Sequence, residues 1–140
     1  MRAKTKGKHE MGKRFAIVIG VAAAGVMALG AQTASAATYK TTVTITQDGG
    51  APGVLIHGYV ISAPHVGKCE VGRRVALFKQ RPGTDRLLGT VRGEAARPGA
   101  VWGKGVDRAK AGWHVYARAS EVRLNGLVCR ADRSPIYTVR

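Results

Sequence analysis

The stretch GKCEVGRRVALFKQRPG, Gly67 to Gly83, contains a cysteine, a segment in which apolar and other residues alternate, and a Pro-Gly pair. Within it, Val75 and Leu77 fall on one face of an extended chain, and the residues beside them fall on the opposite face. A period of two residues, rather than 3.6, is typical of a half-buried β-strand. The stretch therefore predicts a strand over Arg73–Gln80.

A tight turn is expected directly after this strand. Pro82-Gly83 suits the two central positions of a type II turn, because proline presets the first φ angle and glycine accepts a positive φ at the second. The segment LLGTV, Leu87–Val91, then has the composition of a returning strand. The two strands are therefore predicted to form a hairpin.

Short alternating segments with turn residues between them recur along the rest of the chain. In VLIHGYVISA, Val54–Ala63, a strand is predicted in which Gly58 marks a bulge or the close approach of another backbone. In GWHVYARAS, Gly112–Ser120, the residues alternate again, with Trp113 on the apolar face. Further strands are predicted over Lys40–Gln47, Ala100–Val106, Gly126–Ala131 and Ser134–Arg140.

About seven short strands with turn signals between them indicate an all-β fold. At about 100 residues, a two-sheet sandwich of the Ig-like or transthyretin-like type is favoured over a barrel. Trp102 and Trp113 are expected to anchor the core of the two sheets, since the chain has few aromatic residues, and the alternative is that they stack on sugars. His57 and His114 are expected to face solvent.

The first 36 residues are typical of an export signal that forms a helix. A basic stretch precedes an uncharged run from Ala16 to Gly30, and Ala34-Ser35-Ala36 fits the small-x-small rule for cleavage between Ala36 and Ala37. The uncharged run is shorter than the roughly 20 residues of a membrane span. A retained single-helix anchor is the alternative, and Met11 competes with Met1 as the true start.

The sequence therefore predicts a signal peptide, residues 1–36, followed by a single β-sandwich domain, residues 37–140. The protein is expected to be secreted, either extracellular or associated with the cell envelope, with no membrane span after cleavage. A domain of 104 residues is large enough for one modest core.

Export bears on the two cysteines, Cys69 and Cys129. Outside the reducing cytoplasm, two cysteines in one small domain usually pair, so a disulfide is predicted. Closing a loop of this length removes denatured-state entropy worth about 4 kcal/mol. The alternatives are a thiol nucleophile assisted by His65, and a zinc site that adds His57 and His65 to the cysteines, but neither has a specific motif.

The chain also resembles a family at several points. The segments GYVIS from Gly58, CEVGRRVALFKQ from Cys69, RLLGTV from Arg86, and later VWGKG and AGWHVYARA, resemble small secreted bacterial β-sandwich domains of the carboxypeptidase-regulatory-like, or transthyretin-like, kind. The resemblance spans roughly residues 41–140. It departs from the family pattern where Gly112 is followed by Trp113 and His114 instead of an x-Tyr pair. The resemblance implies a non-catalytic module that packs beside an enzyme, binds carbohydrate or protein, or forms part of a wall.

The strongest numerical signal is charge. Residues 37–140 contain 17 Lys or Arg against seven Asp or Glu, a net charge of +10. Such an exported protein is attracted to anionic surfaces. The third predicted strand and its hairpin carry a candidate basic surface patch, formed by Arg73, Arg74, Lys79, Arg81 and Arg86. A second basic set is Arg118, Arg123, Arg130 and Arg133. The plain alternative is that these cations solvate the outer faces of the sandwich.

No motif indicates a catalytic residue, a cofactor or a metal. The predicted function is therefore a non-catalytic structural or binding module of the envelope or its surroundings. Two alternatives remain, a module that binds carbohydrate or an anionic polymer, and a small secreted hydrolase with an unrecognised site. Expected partners are anionic envelope polymers, carbohydrate or another secreted protein, and nucleic acid is not an expected natural partner.

Overall fold

The computed structural model describes residues 35–50 and 53–140, which belong to one compact unit. Twelve strands and one helical turn occur in them. They are, in chain order, β1 Ala37–Val43, β2 Thr46–Asp48, β3 Val54–Ala63, α1 Gly67–Glu70, β4 Arg74–Lys79, β5 Arg86–Arg92, β6 Glu94–Ala95, β7 Ala100–Val106, β8 His114–Ala119, β9 Val122–Leu124, β10 Leu127–Cys129, β11 Asp132–Arg133 and β12 Tyr137–Thr138.

The strands form two sheets. The first sheet has the order β6-β7-β3-β1-β10-β9, with β2 also paired to β3, and the second has the order β11-β8-β4-β5, with β12 paired to β8. The pairs are antiparallel except for β1 with β10, which run parallel. The predicted all-β sandwich is confirmed.

The core lies between the sheets. Alternate residues of β3, including Ile56 and Val60, are fully buried, as are Val75 and Leu77 of β4. Trp102 is 1% exposed and is the largest fully buried side chain, so its predicted role as a core anchor is confirmed.

The predicted strand Lys40–Gln47 is divided into β1 and β2, both of which pair with β3. At the break, the amide of Thr44 donates to the carbonyl of Tyr59, and the amide of Tyr59 donates to Thr44 Oγ1, each at 2.9 Å. A Cβ atom on Gly58 would overlap the carbonyl of Thr44. The predicted close backbone approach at Gly58 is therefore confirmed, and it explains the break between β1 and β2.

The hairpin predicted from the opening stretch is β4 with β5. Gly83 has a φ of +82°, as its place in the predicted turn requires. The register shifts between Leu77 and Phe78, whose partners are Gly89 and Leu87, so Leu88 is an extra residue in β5. Such a bulge increases the local twist of the hairpin at the end nearer the turn.

The N-terminal predictions lie mostly outside the described residues, which begin at Ser35. Ala37 is exposed and opens β1, and its amide donates to the carbonyl of Gly126 at 2.9 Å. Within residues 35–50 and 53–140, no helix has the length and apolar character needed to cross a membrane. The signal peptide and its cleavage between Ala36 and Ala37 stay predictions.

Candidate functional site

The predicted basic patch does not form one surface. Arg73 is 2% exposed, so its assignment to a surface patch is wrong, and the remaining members lie at two ends of the hairpin. Arg74 pairs across the strands with Arg92, whereas Lys79 pairs with Arg86. Five residues of strand separate the two ends by about 17 Å. Only Lys79 and Arg86, together with Arg81 in the turn, can act together.

Positive charge is concentrated at the turn end of the hairpin. The Lys79 ammonium lies 3.6 Å from the centre of the Trp113 ring, a cation–π contact. Desolvation, and then repulsion from Arg81, Arg86 and Lys110, lowers the pKa of Lys79. We call these four cations, Lys79, Arg81, Arg86 and Lys110, the hairpin-end cluster.

Asp85 lies in the hairpin turn, and its carboxylate stabilises the turn through hydrogen bonds. Asp85 Oδ1 accepts the Arg81 amide at 3.0 Å, and Oδ2 accepts the Tyr116 hydroxyl at 2.7 Å. These two hydrogen bonds lower the pKa of Asp85. Neither the ion pair of His65 with Glu70 nor that of Arg123 with Glu121 includes the hairpin-end cluster.

A cleft opens beside this cluster, where β5 and β7 approach each other. Its volume is about 360 Å³. Its lining consists of Arg86, Leu87, Leu88, Lys104, Gly105, Val106, Asp107, Arg108 and Trp113. We call it the basic cleft, because three of its side chains are cations and one, Asp107, is an acid.

The buried Arg73 lies in a different environment, which we call the buried polar corner and define by Ser62, Cys69, Glu70, Arg73 and Cys129. One Arg73 amino group donates to the carbonyl of Cys69 at 3.2 Å, and the other donates to the carbonyls of Ser120 at 2.6 Å and Arg130 at 3.1 Å. Burial lowers the pKa of Arg73 from its ordinary value. The guanidinium stays charged and satisfies main-chain carbonyls, so its role is structural.

The predicted disulfide between Cys69 and Cys129 is confirmed, and both residues are fully buried. It joins α1 to the end of β10, with a Cα–Cα distance of 5.3 Å. Because the cysteines are bonded to each other, they offer neither a thiolate nucleophile nor thiolate ligands to zinc. Among the residues that the structure describes, no group of three or more His, Cys, Asp or Glu side chains is placed to hold a metal ion.

The carboxylate of Glu70 completes the buried polar corner. Its Oε1 accepts the Ser62 amide and the Ser62 hydroxyl, both at 2.8 Å, and it lies 2.9 Å from His65 Nδ1. Burial opposes ionisation of Glu70, but these hydrogen bonds outweigh burial and lower its pKa.

Ser62, His65 and Glu70 are the types of residue found in a hydrolytic triad, but their geometry is different. His65 contacts Glu70, whereas a general base must contact the nucleophile. The Ser62 hydroxyl accepts the Val66 amide at 2.7 Å while it donates to Glu70, and Ser62 is 2% exposed. The cluster closes the loop between β3 and α1, and it does not present an activated hydroxyl to solvent.

The other histidines are separate from this cluster. His57 Nε2 lies 2.9 Å from the hydroxyl of Thr46, and His114 Nδ1 lies 3.2 Å from that of Thr138. His114 is exposed, as predicted, whereas His57 is partly buried. These contacts join neighbouring strands and place neither histidine beside a serine.

No protein-family model, no curated protein and no solved structure matches the chain. The resemblance to the carboxypeptidase-regulatory-like family stays a prediction, and the geometry of the described residues is the basis for the function proposed below.

Sequence reasoning missed two residues of the basic cleft, Lys104 and Arg108. They belong to β7 and the segment that follows it, far along the chain from the hairpin. The pairing of β7 with β3, and the approach of β7 to β5, bring them beside Arg86. The run of three cations in KGVDRAK, Lys104–Lys110, was the only local signal, and it has no specific spacing.

Proposed function

We propose that the protein is a secreted, non-catalytic module that binds anionic polymers of the cell envelope or its surroundings through the hairpin-end cluster. One observation carries the proposal. Desolvation, and then repulsion from Arg81, Arg86 and Lys110, lowers the pKa of Lys79, so these four cations lie close together, and none of them forms an ion pair with a carboxylate of the described residues.

Such a cluster opposes folding, because like charges brought together repel one another. A polyanion removes that repulsion by replacing it with attraction, so the cluster contributes to binding more than to stability. The same charges spread over both sheets would only solvate the surface. Their accumulation at one end therefore supports binding over solvation.

The surroundings of the cluster support the same function. Trp113 and the apolar residues of the basic cleft adjoin it, so the surface offers contacts to carbohydrate as well as charge. The export signal predicted from the sequence supports the proposal, because acidic polysaccharides and wall polymers occur outside the cytoplasm. The resemblance to carboxypeptidase-regulatory-like domains also implies a non-catalytic binding or structural role.

Binding to matched polymers tests the proposal. Polygalacturonate and its fully methyl-esterified form have the same backbone, but only the first is charged. The protein should co-sediment with the acid form at low ionic strength and remain in solution with the ester. Equal binding to both polymers, or binding to neither, would overturn the proposal.

A further inference from the structure

The basic cleft differs from the rest of the charged surface because it has apolar walls as well as charge. Arg86 and Arg108 are exposed at its rim, whereas Leu88, Val106 and Trp113 are partly buried in its lining. A flat charged surface attracts any polyanion, but a concave site with apolar walls and a few polar groups also selects the shape of its ligand.

We infer that the basic cleft binds one sugar unit of an acidic polysaccharide, with the acidic group on Arg86 and Arg108 and the ring against Trp113. The inference rests on the proposed function and names its site and ligand class. Arginine suits the acidic group because its planar guanidinium donates two parallel hydrogen bonds to a carboxylate.

The size of the cleft favours a single unit of a polymer. Its volume of about 360 Å³ lies at the small end of ligand pockets, which span roughly 300–1,000 Å³. The adjoining cations, Lys79, Arg81 and Lys110, extend the positive surface beyond the cleft. A polymer bound by one unit in the cleft can place its neighbouring acidic groups there.

Asp107 favours a sugar acid over a ligand that offers only charge. Asp107 is one of the residues that line the cleft, and it is exposed. A carboxylate there repels a closely charged chain such as polyphosphate, but it accepts hydrogen bonds from sugar hydroxyls. A cleft with three cations and one acid is therefore suited to a ligand with both an acidic group and hydroxyls.

Two contacts fix side chains of the cleft without a ligand. The stem of Lys104 lies across Gly89 of β5, where a Cβ atom would come within 2.5 Å of Lys104 Cε. The ammonium of Lys79 lies over one face of the Trp113 ring, 3.6 Å from its centre, so a sugar in the cleft would contact the part of Trp113 that lines the cleft. Side chains that are already placed lose less freedom on binding, which favours affinity.

Charge-matched variants test the inference. The cleft variant Arg86→Gln/Lys104→Gln/Arg108→Gln and the control variant Arg118→Gln/Arg123→Gln/Arg130→Gln each remove three positive charges. The probes are polygalacturonate, polyphosphate and uncharged dextran. Thermal unfolding of each variant verifies that the fold is kept.

We expect the protein to bind polygalacturonate more tightly than polyphosphate at equal charge. It should not bind dextran at low or at high salt. The cleft variant should lose about 10- to 100-fold in affinity for polygalacturonate, as one or two charge-assisted hydrogen bonds would give. The control variant should lose less than about threefold, since its charges act only at long range. Equal losses in the two variants, or tighter binding of polyphosphate, would overturn the inference.

Trp113 supplies a second readout that charge alone does not move. Trp113→Leu should weaken binding of polygalacturonate but not of polyphosphate, and Trp113→Phe should restore most of the loss because it keeps an aromatic ring. Equal effects on the two probes would contradict a sugar-binding role. If the unaltered protein bound none of the probes, the proposed function itself would fail. If the cleft variant bound polygalacturonate as tightly as the unaltered protein does, only the site assigned here would be removed.

Discussion

The buried polar corner and the basic cleft use the same kinds of residue in opposite ways. In the corner, the guanidinium of Arg73 is 2% exposed and donates to three main-chain carbonyls, and Glu70 accepts hydrogen bonds from Ser62. In the cleft, Arg86 and Arg108 are exposed and have no carboxylate partner among the described residues. Charges that accept or donate hydrogen bonds inside the protein therefore maintain the fold, whereas exposed charges without a partner are available to a ligand.

The largest effect is expected at the disulfide of the corner. The double variant Cys69→Ala/Cys129→Ala should lose about 4 kcal/mol of unfolding free energy, because the open chain regains the entropy of a loop that spans 60 residues. For a domain of this size, the unfolding midpoint should fall by roughly 15–30 °C. Calorimetry of the variant measures this fall, and a midpoint within a few degrees of the original would show that the corner does not depend on the bridge.

The adjacent pair Arg73 and Arg74 sharpens the comparison between buried and exposed cations. Arg73→Met should destabilise the protein by about 2–4 kcal/mol, since it leaves the carbonyls of Ser120 and Arg130 without their donor. Arg74→Met is the matched control, and because Arg74 is exposed it should change stability by less than about 0.5 kcal/mol. Denaturant unfolding compares the two variants. Similar values for both would contradict the structural role of Arg73.

A smaller effect, dependent on pH, is expected at Glu70. Its pKa in the folded protein is below its ordinary value of 4.5, so its ionisation stabilises the fold above that pH. This contribution should disappear as the pH falls through the lowered pKa. Glu70→Gln should therefore cost about 1–2 kcal/mol at neutral pH and almost nothing at strongly acidic pH. Unfolding curves at several pH values measure the difference, and a constant difference would show that the charge of Glu70 is not what matters.

Much of the fold was predictable from local patterns. The alternation in VLIHGYVISA predicts β3 over its full length, and the Pro-Gly pair predicts the β4–β5 turn. The position at which the first predicted strand divides into β1 and β2 was not predictable, because the break results from the Thr44 backbone lying against Gly58 of β3. Local sequence indicates that Gly58 is special, but not which backbone approaches it.

The site was less predictable than the fold. The alternation places Arg73 on the face of Val75 and Leu77 and Arg74 on the opposite face. The sequence does not show which carbonyls make a buried guanidinium possible, and these are the carbonyls of Cys69, Ser120 and Arg130. The basic cleft likewise depends on the approach of β5 to β7. Charge counts show that a basic surface exists, whereas sheet order determines which cations share it.

The salt dependence of binding tests the central claim most directly. The affinity of the protein for polygalacturonate should be measured from about 0.05 to 0.5 M salt, beside that of the variant Arg86→Gln/Lys104→Gln/Arg108→Gln. If unpaired cations hold the polymer, the logarithm of the affinity falls steeply with the logarithm of salt concentration for the unaltered protein, and clearly less steeply for the variant. A slope near zero, or the same slope for both proteins, would contradict the claim that the charges of the basic cleft serve binding.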